Sequence, residues 1–115
     1  MTKTKASDFC EISEPMIGRV ADCFQALSDP TRLNLLRELR NGPKTVQELV
    51  ARFDWTQPNI SRHLSLLATA GLVKKSKRGA HVEYRITGPK VFRLCDMICA
   101  HVRSTMDDYS TPGLR

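Results

Sequence analysis

One segment, TVQELVARFDWTQPNISRHLSLLATAGLV at residues 45–73, constrains the chain more than any other, because it contains two helix starts within a dozen residues. Thr45 and Glu48 form a capping-box pair, in which a hydroxyl and a carboxylate each accept a backbone N–H of the first turn. Val46, Leu49 and Val50 give the helix that follows an apolar side. Phe53-Asp54-Trp55 leaves room only for a tight connection. Thr56 or Gln57 then caps a second helix, with Pro58 in its first turn. Ile60, Leu64 and Leu67 recur at helical spacing and mark its inner face, and Gly71 closes it. Two short helices joined by three or four residues read as a helix-turn-helix.

The flanks complete the pattern. Met16, Val20, Cys23 and Leu27, with Ile17 and Phe24 beside them, form a helical stripe over 14–27. Asp29 and Pro30 restart a helix whose Leu33, Leu36 and Leu39 are expected to face the core, and Asn41-Gly42-Pro43 ends it. After the helix-turn-helix, residues 72–76 and 81–86 read as strands, since Val82, Tyr84 and Ile86 alternate with polar residues. Lys77-Arg78-Gly79-Ala80 joins them as the hairpin tip, with Gly79 free to take positive φ. Gly88-Pro89 opens a last helix over 89–107. The predicted fold is mainly α with a small β-hairpin, in the order α-α-α-α-β-β-α, a winged helix-turn-helix. Residues 1–14 read as a mobile arm, 15–107 as the folded domain and 108–115 as a flexible tail.

The charge lies where that fold places a wing. The chain of 115 residues carries a net +6. Residues 57–90 hold Arg62, Lys74, Lys75, Lys77, Arg78, Arg85 and Lys90 against Glu83 alone, so the whole excess sits there. Such an excess is either a solvated face or the footprint of a polyanion binder. Taking Ile60 as inward and turning 100° per residue, Asn59, Arg62 and Ser65 point outward, with Ser61 on the flank. Asn and Gln can pair with adenine and Arg with guanine, while Ser and Thr more often meet phosphates. The coincidence of helix-turn-helix, polar first turns and basic hairpin favours double-stranded DNA over the plain wet surface. The opening residues MTKTKASDF contain no apolar core and no run is long enough to span a membrane, so no membrane association is expected. Four cysteines without a CxxC pair argue against a zinc ribbon or thioredoxin-type motif and fit a cytoplasmic protein with reduced thiols. No Cys-His pairing with an orienting group and no phosphate loop occurs, so no enzymatic activity is expected.

The stretches FQALSDPTRLNLLRELR, TVQEL, TQPNISRHLSLLATAGLV and KRGAHVEYRI resemble the ArsR/SmtB family of bacterial winged-helix repressors, from about Val20 to Val102. The resemblance implies a homodimer formed through the first and last helices, an operator of two-fold symmetry, and an inducer that weakens binding. Carried onto this chain, it implies DNA contacts at Thr56, Gln57, Asn59, Ser61, Arg62 and His63, with Lys77 and Arg78 on the wing. His63 is only partly outward by angle, so base contact and packing against the third helix are both open to it. Trp55 reads as packing.

Members of the family differ in where the inducer sits. The third helix, ELVARFD, has no cysteine, and of the last-helix zinc positions (Gly88, Lys90, His101, Ser104) only His101 is a ligand type, too few for a tetrahedral site. Cys95 lies on the stripe Val91, Cys95, Ile98, Val102, Thr105, and Cys99 one turn further. Two thiols at i and i+4 suit a soft ion such as As(III) or Sb(III), with Cys10 of the arm as a third donor. No cofactor is required otherwise. Thiol redox or persulfide chemistry at the same cysteines, small apolar residues filling a helix face, and a winged helix serving only protein interaction are the alternatives. Cys23 on the first stripe fits the small-apolar role.

Overall fold

The structure, a computed structural model, describes residues 9–109. A short 3-10 turn at Phe9–Glu11 precedes α1 (Glu14–Ala26), α2 (Pro30–Leu39), β1 (Lys44–Thr45), α3 (Val46–Phe53), α4 (Gln57–Thr69), β2 (Val73–Arg78), β3 (His81–Ile86) and α5 (Pro89–Tyr109). The winged helix-turn-helix expected from the sequence is the fold observed. Most of the predicted arm and tail lies outside the described residues. Within them the arm's end forms the 3-10 turn, and α5 continues past residue 107.

Each of the helices α1 to α4 begins where a side chain satisfies a free N–H group. Ser13 accepts from Met16 N at 3.4 Å, and Asp29 from Arg32 N at 3.1 Å with Pro30 at the first helical position. At α3 both halves of the capping box are present: Glu48 N donates to Thr45 Oγ1 at 3.1 Å and Thr45 N donates to Glu48 Oε1 at 2.7 Å. Thr56, not Gln57, caps α4, accepting from Asn59 N at 3.3 Å. The tight connection turns at Asp54, whose φ of 59° is the left-handed conformation that a short polar residue tolerates.

The core lies where α2, α3 and α4 meet the sheet. Leu35, Leu49, Ile60, Leu64 and Leu67 are fully buried, and Leu36, Leu39, Val46, Leu72, Val73, Tyr84 and Val91 enclose them. Leu33, expected inward, is 43% exposed, and Leu35 occupies the core instead. The reason is angular. A stripe that steps only by three drifts about 60° per step, which leaves Leu33 about 120° from Leu39, whereas Leu35 and Leu39 are one turn apart. Leu33 faces α5, where it lines a groove with Phe24, Leu27, Leu94, Cys95, Ile98 and Cys99.

The sheet has three antiparallel strands in the order β1-β3-β2. The two-residue β1 has no readable alternation, and it is recognisable only by its pairing of Lys44 with Tyr84 and Thr45 with Glu83. Pairing of β2 with β3 runs from Val73–Ile86 to Arg78–His81. The hairpin loop is therefore Gly79-Ala80 alone, with Gly79 at φ 62°, a two-residue connection with Gly first. Lys77 and Arg78, expected at the tip, are the last residues of β2.

This core makes a direct prediction. Leu35→Ala should cost about 2–5 kcal/mol in urea unfolding, whereas Leu66→Ala, 44% exposed on α4, should cost under about 1 kcal/mol. Equal losses would contradict the core as described.

Candidate nucleic-acid interface and thiol site

Burial of Ile60, Leu64 and Leu67 fixes which side of α4 faces solvent. Thr56, Gln57 and Arg62 are exposed at its N-terminal end, and Asn59 and Ser61 are half-buried beside them. The Arg62 guanidinium donates to Asn59 Oδ1 at 3.0 Å, so the two outward side chains form one polar unit. The expected set therefore lies together on one end of the helix, with one exception.

His63 is 7% exposed and faces inward. Its Nδ1 lies 3.1 Å from Arg32 Nη1. Arginine can only donate, so Nδ1 accepts and the ring proton sits on Nε2. Arg32 is itself held by Ala26 O at 2.6 Å from Nε and Gln25 O at 3.3 Å from Nη2. His63 thus leaves the outward set: of the two roles open to it, packing is the one its geometry fits, and its partner is α2 rather than α3. Burial pushes its pKa down most; Asp29 opposes this, and Arg62 and Arg32 add to it. Trp55 also packs, stacking on Phe53 with ring centroids 4.4 Å apart and planes 8° from parallel.

The wing exposes Lys74, Lys75, Lys77 and Arg85. Arg78 differs, since it pairs with Glu48 at 3.1 Å and Glu83 at 3.3 Å. Glu48 Oε1 accepts from both Thr45 N and Arg78 Nη2. These bonds hold its carboxyl below the usual carboxylate range, the Thr45 N–H first among them. A residue legible in the sequence only as a helix cap therefore also anchors the wing to α3. Arg78 and Glu48 lie 30 positions apart, so spacing along the chain does not reveal the second role.

The thiols occupy different settings. Cys23 is half-buried, and its Sγ donates to Ala70 O at 3.3 Å, joining α1 to the end of α4. Cys10 and Cys99 are exposed, and Cys95 is half-buried. Among the described residues no three His, Cys, Asp or Glu side chains come together to hold an ion. A single chain therefore does not bring Cys10 to Cys95 and Cys99. Next to Cys95, Asp96 takes two hydrogen bonds from Arg40 at 2.7 and 2.8 Å, and Arg40 also lies over the Phe92 ring at 5.1 Å. Burial pushes the Cys95 thiol up, Asp96 adds to this and Arg40 opposes it. Among the described residues, no helix is long and apolar enough to cross a membrane.

Comparison with known proteins decides the family. Residues 29–75 match the model of the bacterial regulatory protein arsR family. NmtR, an HTH-type transcriptional regulator of Mycobacterium tuberculosis, is 35% identical over 84 residues, which cover 73% of this chain and 70% of that protein. The chain belongs to the arsR family. A probable mercury resistance operon repressor of Streptomyces lividans is 40% identical over 68 residues, 59% of this chain and about half (54%) of that protein. The fold matches the solution structure of a homodimeric winged helix-turn-helix DNA-binding domain from Mycobacterium bovis with a TM-score of 0.72 at 23% identity, covering 96% of this chain and 94% of that one. This arsR-family chain is a DNA-binding transcriptional regulator and not an enzyme.

The settings of the four thiols predict their reactivity. In a brief iodoacetamide pulse at neutral pH, read by peptide mass spectrometry, Cys10 and Cys99 should be alkylated well ahead of Cys95 and Cys23. Because the thiolate is the reactive form and its population at Cys95 is suppressed, Cys95 labelling should catch up only as the pH is raised into the alkaline range. Early labelling of Cys95 at neutral pH would contradict its described surroundings.

Proposed function

We propose that this arsR-family regulator is a homodimeric repressor that places α4 in the major groove of a two-fold operator and is released when a soft thiophilic ion binds Cys95 and Cys99. The observation that carries the DNA reading is the outward cluster Thr56, Gln57, Asn59, Ser61 and Arg62 beside a wing of exposed lysines. First turns rich in amide, hydroxyl and guanidinium groups suit base edges and phosphates together. Of the two wing residues Lys77 and Arg78, Lys77 makes no ion pair among the described residues, while two carboxylates already engage Arg78.

Dimerisation is supported by what α1 and α5 leave uncovered. Met16, Ile17 and Phe24 on α1 and Met97, Ile98, Val102 and Met106 on α5 are all more than a third exposed, a large apolar surface for one small chain. In a dimer built through those helices, Cys10 of one chain supplies the third thiol that a single chain does not bring to Cys95 and Cys99. Soft thiolate ligands select thiophilic ions, and the similarity to a probable mercury resistance operon repressor agrees with that chemistry.

Fluorescence anisotropy on the DNA upstream of the protein's own coding sequence tests both halves. Binding should exceed that to random duplex at physiological salt; equal affinity would sink the operator reading. Lys77→Ala should reduce the salt slope by about one and Arg78→Ala by less. Arg62→Ala should cost about 1–3 kcal/mol and relax preference at one base position. Stoichiometric arsenite should release the DNA from the native protein but not from a Cys95→Ser/Cys99→Ser variant. Release by polysulfide or peroxide, with none by arsenite, would transfer the site to redox sensing.

A further inference from the structure

His63 is a buried titratable group on the helix proposed to read DNA, and DNA contact does not use it. Its Nδ1 has two neighbours of opposite kind. Arg32 Nη1 lies 3.1 Å away and donates to it, and Asp29 Oδ2 lies 3.9 Å away with nothing to donate. Arg32 cannot follow the ring freely, because its other nitrogens are fixed on the carbonyls that end α1. The neutral imidazole therefore ties α4 to the junction of α1 and α2 at one defined point.

We propose that His63 is a positioning residue for the recognition helix: neutral, it holds α4 through Arg32, and on protonation at Nδ1 it is handed from Arg32 to Asp29, weakening operator binding. The step needs only a proton from water. Once Nδ1 carries it, two donors face each other at 3.1 Å, while the nearby carboxylate becomes an acceptor for the new N–H. Asp29 Oδ2 is also the cap of α2, accepting from Arg32 N at 3.1 Å, so the protonated ring competes with that cap for one oxygen. The charged groups around the ring are Asp29 and Arg32 at the start of α2 and Arg62 on its own helix, and α1 offers backbone carbonyls only through Arg32. The direction of its pKa agrees. Held below the ordinary histidine value of about 6.5, the neutral form contributes stability that is fully present above that value and is lost as the pH falls through it toward the folded pKa.

The inference rests on α4 being the DNA-reading helix, so one of its two tests is independent of DNA. Nitrogen chemical shifts of the His63 ring at pH 7.5 should show Nε2 protonated and Nδ1 as acceptor; a proton on Nδ1 would overturn the proposal whatever the protein binds. Operator affinity should then be measured between pH 7.5 and 5.5 for the native protein and for His63→Asn. Asn places an acceptor oxygen near the Nδ1 position and does not titrate. Charge effects elsewhere in the chain are common to both proteins and cancel in the comparison. The native protein should lose affinity by a few-fold relative to the Asn variant across that range, short of the roughly tenfold that an unshifted imidazole could give at about pH 5.5. Circular dichroism at each pH confirms that both remain folded. Parallel profiles for the two proteins would refute the positioning role. Failure of both to prefer operator at any pH would instead refute the reading of α4 and leave the tautomer result standing.

Discussion

The inward face of α4 is the constraint on which the rest of the molecule depends. Ile60, Leu64 and Leu67 lose all contact with solvent, and they can do so only if α2, α3 and the sheet close over them. Full burial of one such side chain stabilises by about 1.5–3 kcal/mol, so rotating α4 by a fraction of a turn would forfeit several times that amount. The polar outer side is thereby held at a fixed angle. Arg62 and Asn59 face solvent because Ile60 and Leu64 cannot. Presenting a rigid polar helix end is a by-product of core packing, and it needs no interaction dedicated to the outer side.

The wing obeys a second constraint, of charge rather than burial. A two-stranded hairpin is marginal alone. Here β3 gains a second neighbour in β1, and Arg78 bridges to Glu48 on α3. Glu48 accepts that guanidinium and the Thr45 N–H on one oxygen, so the start of α3 and the base of the hairpin tip share a single carboxylate. As an exposed pair this bridge adds little to stability. Its consequence is geometric: one positive charge of the wing is spent inside the molecule, and the lysines carry the remaining field.

Most of the fold was legible because periodicity and capping are local. The four helix starts at Ser13, Asp29, Thr45 and Thr56 are marked by residues whose side chains reach N–H groups only two or three positions away. The strands of the hairpin were likewise visible in the alternation of Val82, Tyr84 and Ile86. What was not legible depended on partners distant in the chain. β1 exists because β3 lies beside it, and its two residues alone carry no pattern. Leu33 belongs to the α5 groove rather than the core, which a count of leucines at spacing three does not distinguish. His63 sits at an angle that leaves both directions open, and it turns inward because Arg32, 31 positions earlier, offers its ring nitrogen a donor. At the thiol site the sequence shows the spacing of Cys95 and Cys99. It does not show that Cys95 is half-covered beside an Arg40–Asp96 pair.

The placement of α2 gives these contacts a common frame. Its N-terminal turn reaches α4 through Arg32 and His63, and its C-cap residue Arg40 reaches α5 through Asp96, the residue next to Cys95. The helix is ten residues long, and both arginine contacts project from its ends. A ligand on α5 alters DNA binding only if it favours one arrangement of the recognition helices over another. Within one chain, α2 is a rigid element that touches both the thiol helix and the inner side of α4. Its middle, at Leu35 and Leu36, is locked in the core, so it cannot slide independently of α4. A shift at α5 must then either pivot α2 about that buried centre or bypass it through the apolar faces of α1 and α5. In the proposed homodimer the second path would move whole chains against each other while leaving each core intact, and it would cost no buried leucine its neighbours.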